Sequence, residues 1–318
     1  SLMGMALVTM GIGSLPVYRE GGIVAPIGLC LGKMLQSFFA AGETSGGAIF
    51  ILERTKEGQR GFFSGLYDAC SMGGILLASA AVGWFASEEG WRFLYWAGGL
   101  TALVGVYLRS RGEPPVSFPS SFSFPFSGRR AFVEYRKPLF KIIIASGFSY
   151  AIYTFAFTFM NGYLPFITSF TKGEVIRMNT PLLALDLLLL PCLGLLAERW
   201  GKDLFMRSAA FAVSIFALPL FSLLPSAPLP VVLGVRSALV LLGVAFAAPY
   251  HAWAIEQVPP SHRYTLLSLG YAIGSQCIGA PTAALSLWLY QVTGWGGAPG
   301  LYLSLIALLA GGALSFFR

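Results

Sequence analysis

Apolar runs of about 20 residues recur along the whole of this 318-residue chain, and that recurrence constrains its fold more than any motif does. A hydrocarbon layer of about 30 Å is crossed by about 20 helical residues. Backbone groups in lipid must be satisfied internally, so a spanning segment is a helix or a strand of a closed barrel. Barrel strands alternate apolar and polar side chains, and no such alternation is found here. The runs predict ten transmembrane helices, at approximately 1–16, 23–51, 62–86, 92–109, 139–170, 180–197, 204–224, 230–254, 264–290 and 299–317. Only 11% of the residues are charged, against about a quarter in soluble domains, so the class is all-α integral membrane protein with the lipid bilayer as its solvent.

The formal charge of +7 would suit a nucleic-acid partner, but the basic residues fall in short loops between spans, so no nucleic acid is expected. If Arg54, Lys56 and Arg60 face the cytoplasm, alternation places Arg109, Arg111, Arg129, Arg130, Arg136, Lys137, Lys141, Arg199, Lys202, Arg207, Arg263 and Arg318 there too. Arg19, Arg92, Lys172 and Arg177 fall on the other side, and Lys33 and Arg236 within spans. This bias fixes an orientation and predicts a multi-pass protein of the cell inner membrane. No Lys or Arg precedes Arg19, so no cleavable signal is read. The chain begins at Ser1 inside an apolar run, which leads us to expect residues upstream. Cys30, Cys70, Cys192 and Cys277 stand singly in apolar segments, away from metal or redox spacing. They are read as small core residues, with no metal and no cofactor expected.

Residues 111–137 form the only long connection, and their segment PPVSFPSSFSFPFSGRR is too rich in proline to continue a helix. The expected organisation is a helix bundle over 1–110 with four spans, a cytoplasmic linker over 111–137 and a six-helix bundle over 138–318. Six spans after a central loop suggest a six-plus-six transporter built from repeats, which makes these ten the third to twelfth of twelve.

Polar side chains at membrane depth cost several kcal/mol each and mark ion or substrate paths. Lys33, Gln36 and Glu43 lie in the second run, Asp68 in the third and Arg236 in the eighth. On a helix Gln36 and Glu43 share a face, while Lys33 sits roughly 80° and about 15 Å from Glu43, too far to pair. Lys33 must then find another partner, and Asp68, Asp186 or the absent first helix are the candidates. A face of Gly42, Gly46, Gly47 and Ala48 would equally explain the segment as close helix packing. Arg236 would attract a substrate carboxylate or pair with a protein acid. His251 is a candidate titrating group. Tyr153, Tyr163 and Trp253 would form an aromatic cage for a quaternary ammonium or belong to the interfacial belts. With only His251 and His262, no HExxH and no nucleophile elbow, neither a metal site nor a catalytic triad can be assembled, so the chain is not read as an enzyme.

Two motifs then narrow the reading. The loop GLLAERWGKD resembles the signature loop of the major facilitator superfamily at Gly194, Leu196, Ala197, Arg199 and Gly201, with Glu198 for the usual Asp and Lys202 for Arg. A tight turn there needs glycine, and the acid and base can tie helix ends together. Lys33-x-x-Gln36 resembles the R-x-x-Q-G element of the superfamily's fourth helix, with Lys for Arg and Ser37 for Gly. The order LPVYREGGIVAPIGLCLGKMLQSFFAAGETSGGAIFILERTKEGQRGFFSG is similar to the metabolite:proton symporters, which include proline/glycine betaine carriers and carriers of di- and tricarboxylates. The resemblance is carried by Leu15, Pro16, Ala25, Pro26, Gln36, Gly42, Glu43, Glu53, Arg60 and Gly61, and continues through Trp91, Arg92, Tyr163, Leu164, Pro165 and the run from Arg263 to Gly274.

What this resemblance implies is a major facilitator fold and proton-coupled symport of a small polar organic solute by alternating access. Lys33, Gln36, Glu43, Asp68 and Arg236 would line the substrate and proton pathway, and Gly194, Glu198, Arg199, Gly201 and Lys202 the cytoplasmic gating loop. The partners would be the solute and the coupling proton, bound by a monomer. The alternative is a truncated membrane protein or scaffold without transport.

Overall fold

The computed structural model describes residues 2–84, 90–111 and 134–316. Most of the linker read at 111–137 lies outside them. Among the described residues all regular structure is helical, and apart from short turns at Tyr18–Gly21, Glu57–Gln59 and Pro260–His262 it forms ten segments that follow the ten apolar runs. They are α1 (Leu2–Gly13), α2 (Val24–Glu53), α3 (Arg60–Trp84) and α4 (Gly90–Arg111), followed by α5 (Arg136–Ile167), α6 (Lys172–Trp200), α7 (Lys202–Ser222) and α8 (Leu229–Glu256). The ninth, α9, is built from Arg263–Ile273, Gly274–Gly279 and Thr282–Thr293, and the tenth, α10, is Ala298–Phe316. Six of them, α2, α5, α6, α7, α8 and α10, are long and apolar enough to cross a membrane. α1 is apolar but 12 residues long.

The described residues divide into two compact units, 2–50 with 74–111, and 51–73 with 134–316. In the first unit α1 packs on α2 and α4 through glycines. Gly28 and Gly32 of α2 face Leu15 and Ile12, and Gly98, Gly99 and Gly105 of α4 face Thr9, Met10 and Leu2. In lipid the partners gain by close contact, because no water is expelled between them, and glycine allows the closest approach. Arg92 of α4 closes the far end of α1, its Nη1 donating to the carbonyls of Gly13 at 3.1 Å and Leu15 at 2.6 Å. These terminal carbonyls have no partner within their own helix, so a cation at a helix end is satisfied without an acid. Ile27, Leu31, Met34, Leu35 and Phe38 of α2 are exposed, as an apolar surface in hydrocarbon can be.

In the second unit α3 lies on α6 with backbone against backbone. A Cβ added at Gly61 would strike the Gly194 carbonyl, one at Gly194 the Gly61 carbonyl, and one at Gly65 the Leu190 carbonyl. α5 packs on α9 in the same manner, Gly147 against Ile278 and Gly270 against Ile142, with Ser146 Oγ donating to the Gly270 carbonyl at 3.1 Å. Both partners carry a widened π-turn, Thr154–Phe159 in α5 and Gly274–Gly279 in α9. Such turns displace backbone carbonyls from the ordinary ladder and are frequent at functional sites. Phe155, Phe159 and Tyr163 stack along α5 with ring centres 5.2 and 4.8 Å apart. Pro249 interrupts α8 just before His251, since proline has no N–H to give and so leaves a carbonyl one turn back unpaired.

The four cysteines are exposed, which corrects their reading as core residues. A small apolar side chain is as well placed against lipid as against protein, so its position in an apolar run says nothing about which way it points. Gly201, between α6 and α7, has φ +90°, a conformation closed to residues with a Cβ. Gly201→Ala is expected to lower stability by roughly 1–3 kcal/mol, seen as a lower Tm with unchanged helix content in circular dichroism.

Candidate functional site

One end of the second unit gathers most of its charge. The Glu53 carboxylate, at the end of α2, takes Arg263 Nη1 at 2.7 Å, and Arg263 Nε donates to the Ile255 carbonyl at 3.0 Å. Glu198 accepts the Gly61 amide at 2.6 Å, at the positive end of the α3 dipole, where a carboxylate is favoured. Lys202 Nζ lies 3.0 Å from both Glu198 and Glu256, so one ammonium joins α6, α7 and α8. Asp203 pairs with Arg207 at 3.1 Å and accepts Trp253 Nε1 at 3.3 Å. Of the predicted loop residues Glu198 and Lys202 therefore meet in one network, and Gly194 packs against Gly61 beside it. Arg199 is exposed and has no ion-pair partner among the described residues.

Deeper in the bundle, Asp68 Oδ1 of α3 meets His251 Nε2 of α8 at 3.2 Å. Tyr67 and Tyr250 present their rings edge-on to the imidazole at 5.4 and 5.1 Å, and Ser64 Oγ accepts the Ala252 amide. Asp186 of α6 is fully buried. Arg236 of α8 is fully buried as well, and donates to the carbonyls of Val175 and Ala156, each at 3.1 Å, and to Asn179 Oδ1. Ala156 belongs to the widened turn of α5, and its carbonyl takes the guanidinium as donor. Its partners are neutral oxygens of the protein, so the pairing with a protein acid is not found.

In the first unit Lys33 Nζ donates to Gln36 Oε1 at 3.0 Å, Gln36 Nε2 donates to Thr9 Oγ1 at 3.0 Å, and the ammonium stands 5.2 Å from the Tyr95 ring centre. Lys33 is thus held by an amide and an aromatic face. Asp68, one of its candidate partners, is taken by His251. Glu43 is half-buried further along α2.

The aromatic cage does not form. Tyr163 is buried and donates to the Gly296 carbonyl at 2.6 Å, at the opposite end of the unit from Trp253, which is buried beside Asp203. Three pairs escaped sequence reasoning: Glu53 with Arg263, Lys202 with Glu256, and Asp68 with His251. Each is a charged or titrating residue near the end or kink of a span, and only the pairing, 50 or more positions apart in the chain, was hidden.

Residues 1–185, more than half of the chain, match the Major Facilitator Superfamily. The chain is 26% identical over 96% of its length to the proline/betaine transporter of Salmonella typhimurium. It is 27% identical, again over 96%, to the glycine betaine/proline/ectoine/pipecolic acid transporter OusA of Dickeya dadantii. It spans about 65% of the length of each of these relatives. Its fold is similar to the crystal structure of the transporter FucP in the outward conformation, with a TM-score of 0.68 at 11% identity, over all of this chain and 82% of the other. The ten helices, the tied signature loop and these likenesses agree, and the chain belongs to the Major Facilitator Superfamily.

Proposed function

We propose that this protein is a secondary active transporter that moves a small polar organic solute together with protons by alternating access, and that it is not an enzyme. The observation that carries the reading is the alignment of 96% of the chain with carriers named for proline and betaine. Zwitterionic osmoprotectants are the solute class it favours, with di- and tricarboxylates next. Ionisable groups inside the helices, chiefly Asp68 with His251, support proton coupling, because such side chains are costly at membrane depth and are kept there for an ion or substrate path. Lys33 and Gln36, joined to Thr9, support a polar path through the first unit. The network around Glu198, Lys202 and Glu53 serves as a lock between helix ends, on the cytoplasmic side of a cell inner membrane, in a monomer.

The test is uptake of labelled proline, betaine, 2-oxoglutarate and citrate into proteoliposomes, with and without an inward proton gradient. Proline or betaine is expected to accumulate only with the gradient. Gradient-independent levels for the whole panel would favour a membrane protein without transport.

A further inference from the structure

Asp186 lies in the middle of α6 with no exposed surface. Both carboxylate oxygens are buried without a hydrogen bond of ordinary geometry, and among the described residues no other side chain has both carboxylate oxygens so buried and unbonded. The neighbouring Leu182 and Leu190 on the same helix are buried with it. The charged and titrating groups on the elements around it are all engaged elsewhere. Asp68 of α3 is bonded to His251 of α8. Arg236 of α8 is bonded to Asn179, seven residues before Asp186 and so about 10 Å away along the helix. Lys202, Asp203 and Arg207 of α7 belong to the network at the helix ends. Tyr153 of α5 is the near phenol, and α10 carries no charged residue between Ala298 and Phe316.

An ionised carboxylate is retained inside a protein only with a donor or a counter-charge. Asp186 has no counter-charge, and no donor at ordinary hydrogen-bond geometry. We propose that Asp186 is a proton-binding site of this carrier, holding a proton on a carboxyl oxygen in the described state and giving it up when the seam beside α6 opens to water. A proton is the ligand that suits it, because a side chain with no exposed surface among leucines leaves no room for an ammonium-bearing solute. The coupling role rests on the transport reading above, whereas the protonation does not.

The two are separated by experiment on the full chain in lipid. Infrared difference spectra at neutral pH are expected to show the carbonyl stretch of a protonated carboxylic acid in the parent, lost in Asp186→Asn and kept in Asp68→Asn and Asp186→Glu. A parent without that band, or a band unchanged by Asp186→Asn, overturns the proposal. With one proton per solute, a gradient of about one pH unit drives about tenfold accumulation, and Asp186→Asn is expected to bring this to about unity while its ratio of counterflow to driven uptake rises. Driven accumulation intact in Asp186→Asn overturns the coupling role, and loss of counterflow together with accumulation overturns it in favour of solute contact. A parent with the band but no uptake of any solute sinks the transport reading and leaves the protonated carboxyl standing.

Discussion

Replacing Arg236 by leucine is expected to destabilise the second unit by roughly 3–5 kcal/mol, the range for stripping one partner from a buried charged cluster. Leucine fills much of the stem's volume but leaves the carbonyls of Val175 and Ala156 and the Asn179 amide oxygen buried without a donor. Unpaired buried acceptors cost about 1–3 kcal/mol each, so two or three of them account for the range. Lysine is not expected to rescue, because one ammonium cannot reproduce the planar fork that reaches three acceptors on two helices. The measurement is the Tm of the purified protein in detergent, alongside the fraction that elutes as a single species. Equal Tm values for the parent and Arg236→Leu would show that the guanidinium contributes nothing to the fold.

Glu53→Gln and Arg263→Gln should each lower stability by about 3 kcal/mol, since both side chains are largely buried and each single change strands the other charge. The exchanged double variant, Glu53→Arg with Arg263→Glu, is expected to recover more than half of the loss. A double-mutant cycle on Tm isolates the pair term, and additive losses with no recovery would mean that the contact is incidental. Under the transport reading the same variants should also shift the balance between conformations, which limited proteolysis of the loop ends would register.

The spans were legible because hydropathy over about 20 residues is a strong signal, and α7 at Lys202–Ser222 lies where an apolar run at 204–224 placed it. The widened turns at Thr154–Phe159 and Gly274–Gly279 were not, because a π-turn depends on how two helices seat against each other and leaves no composition of its own. Glu198 and Lys202 were legible as a pair four apart on a motif. Arg236 was found as a buried cation but not its partners, since backbone carbonyls are present at every position and carry no sequence mark. Asp186 was read only as a possible counter-charge for Lys33, and what distinguishes it is the lack of any counter-charge, which becomes apparent only when its surroundings are in place.

The manner in which Arg236 is satisfied has an electrostatic effect beyond stability. Three neutral oxygens spread its charge without cancelling it, so a net positive potential persists where α5, α6 and α8 meet. In a low-dielectric interior such a potential repels small cations. A small cation approaching from that side meets a barrier.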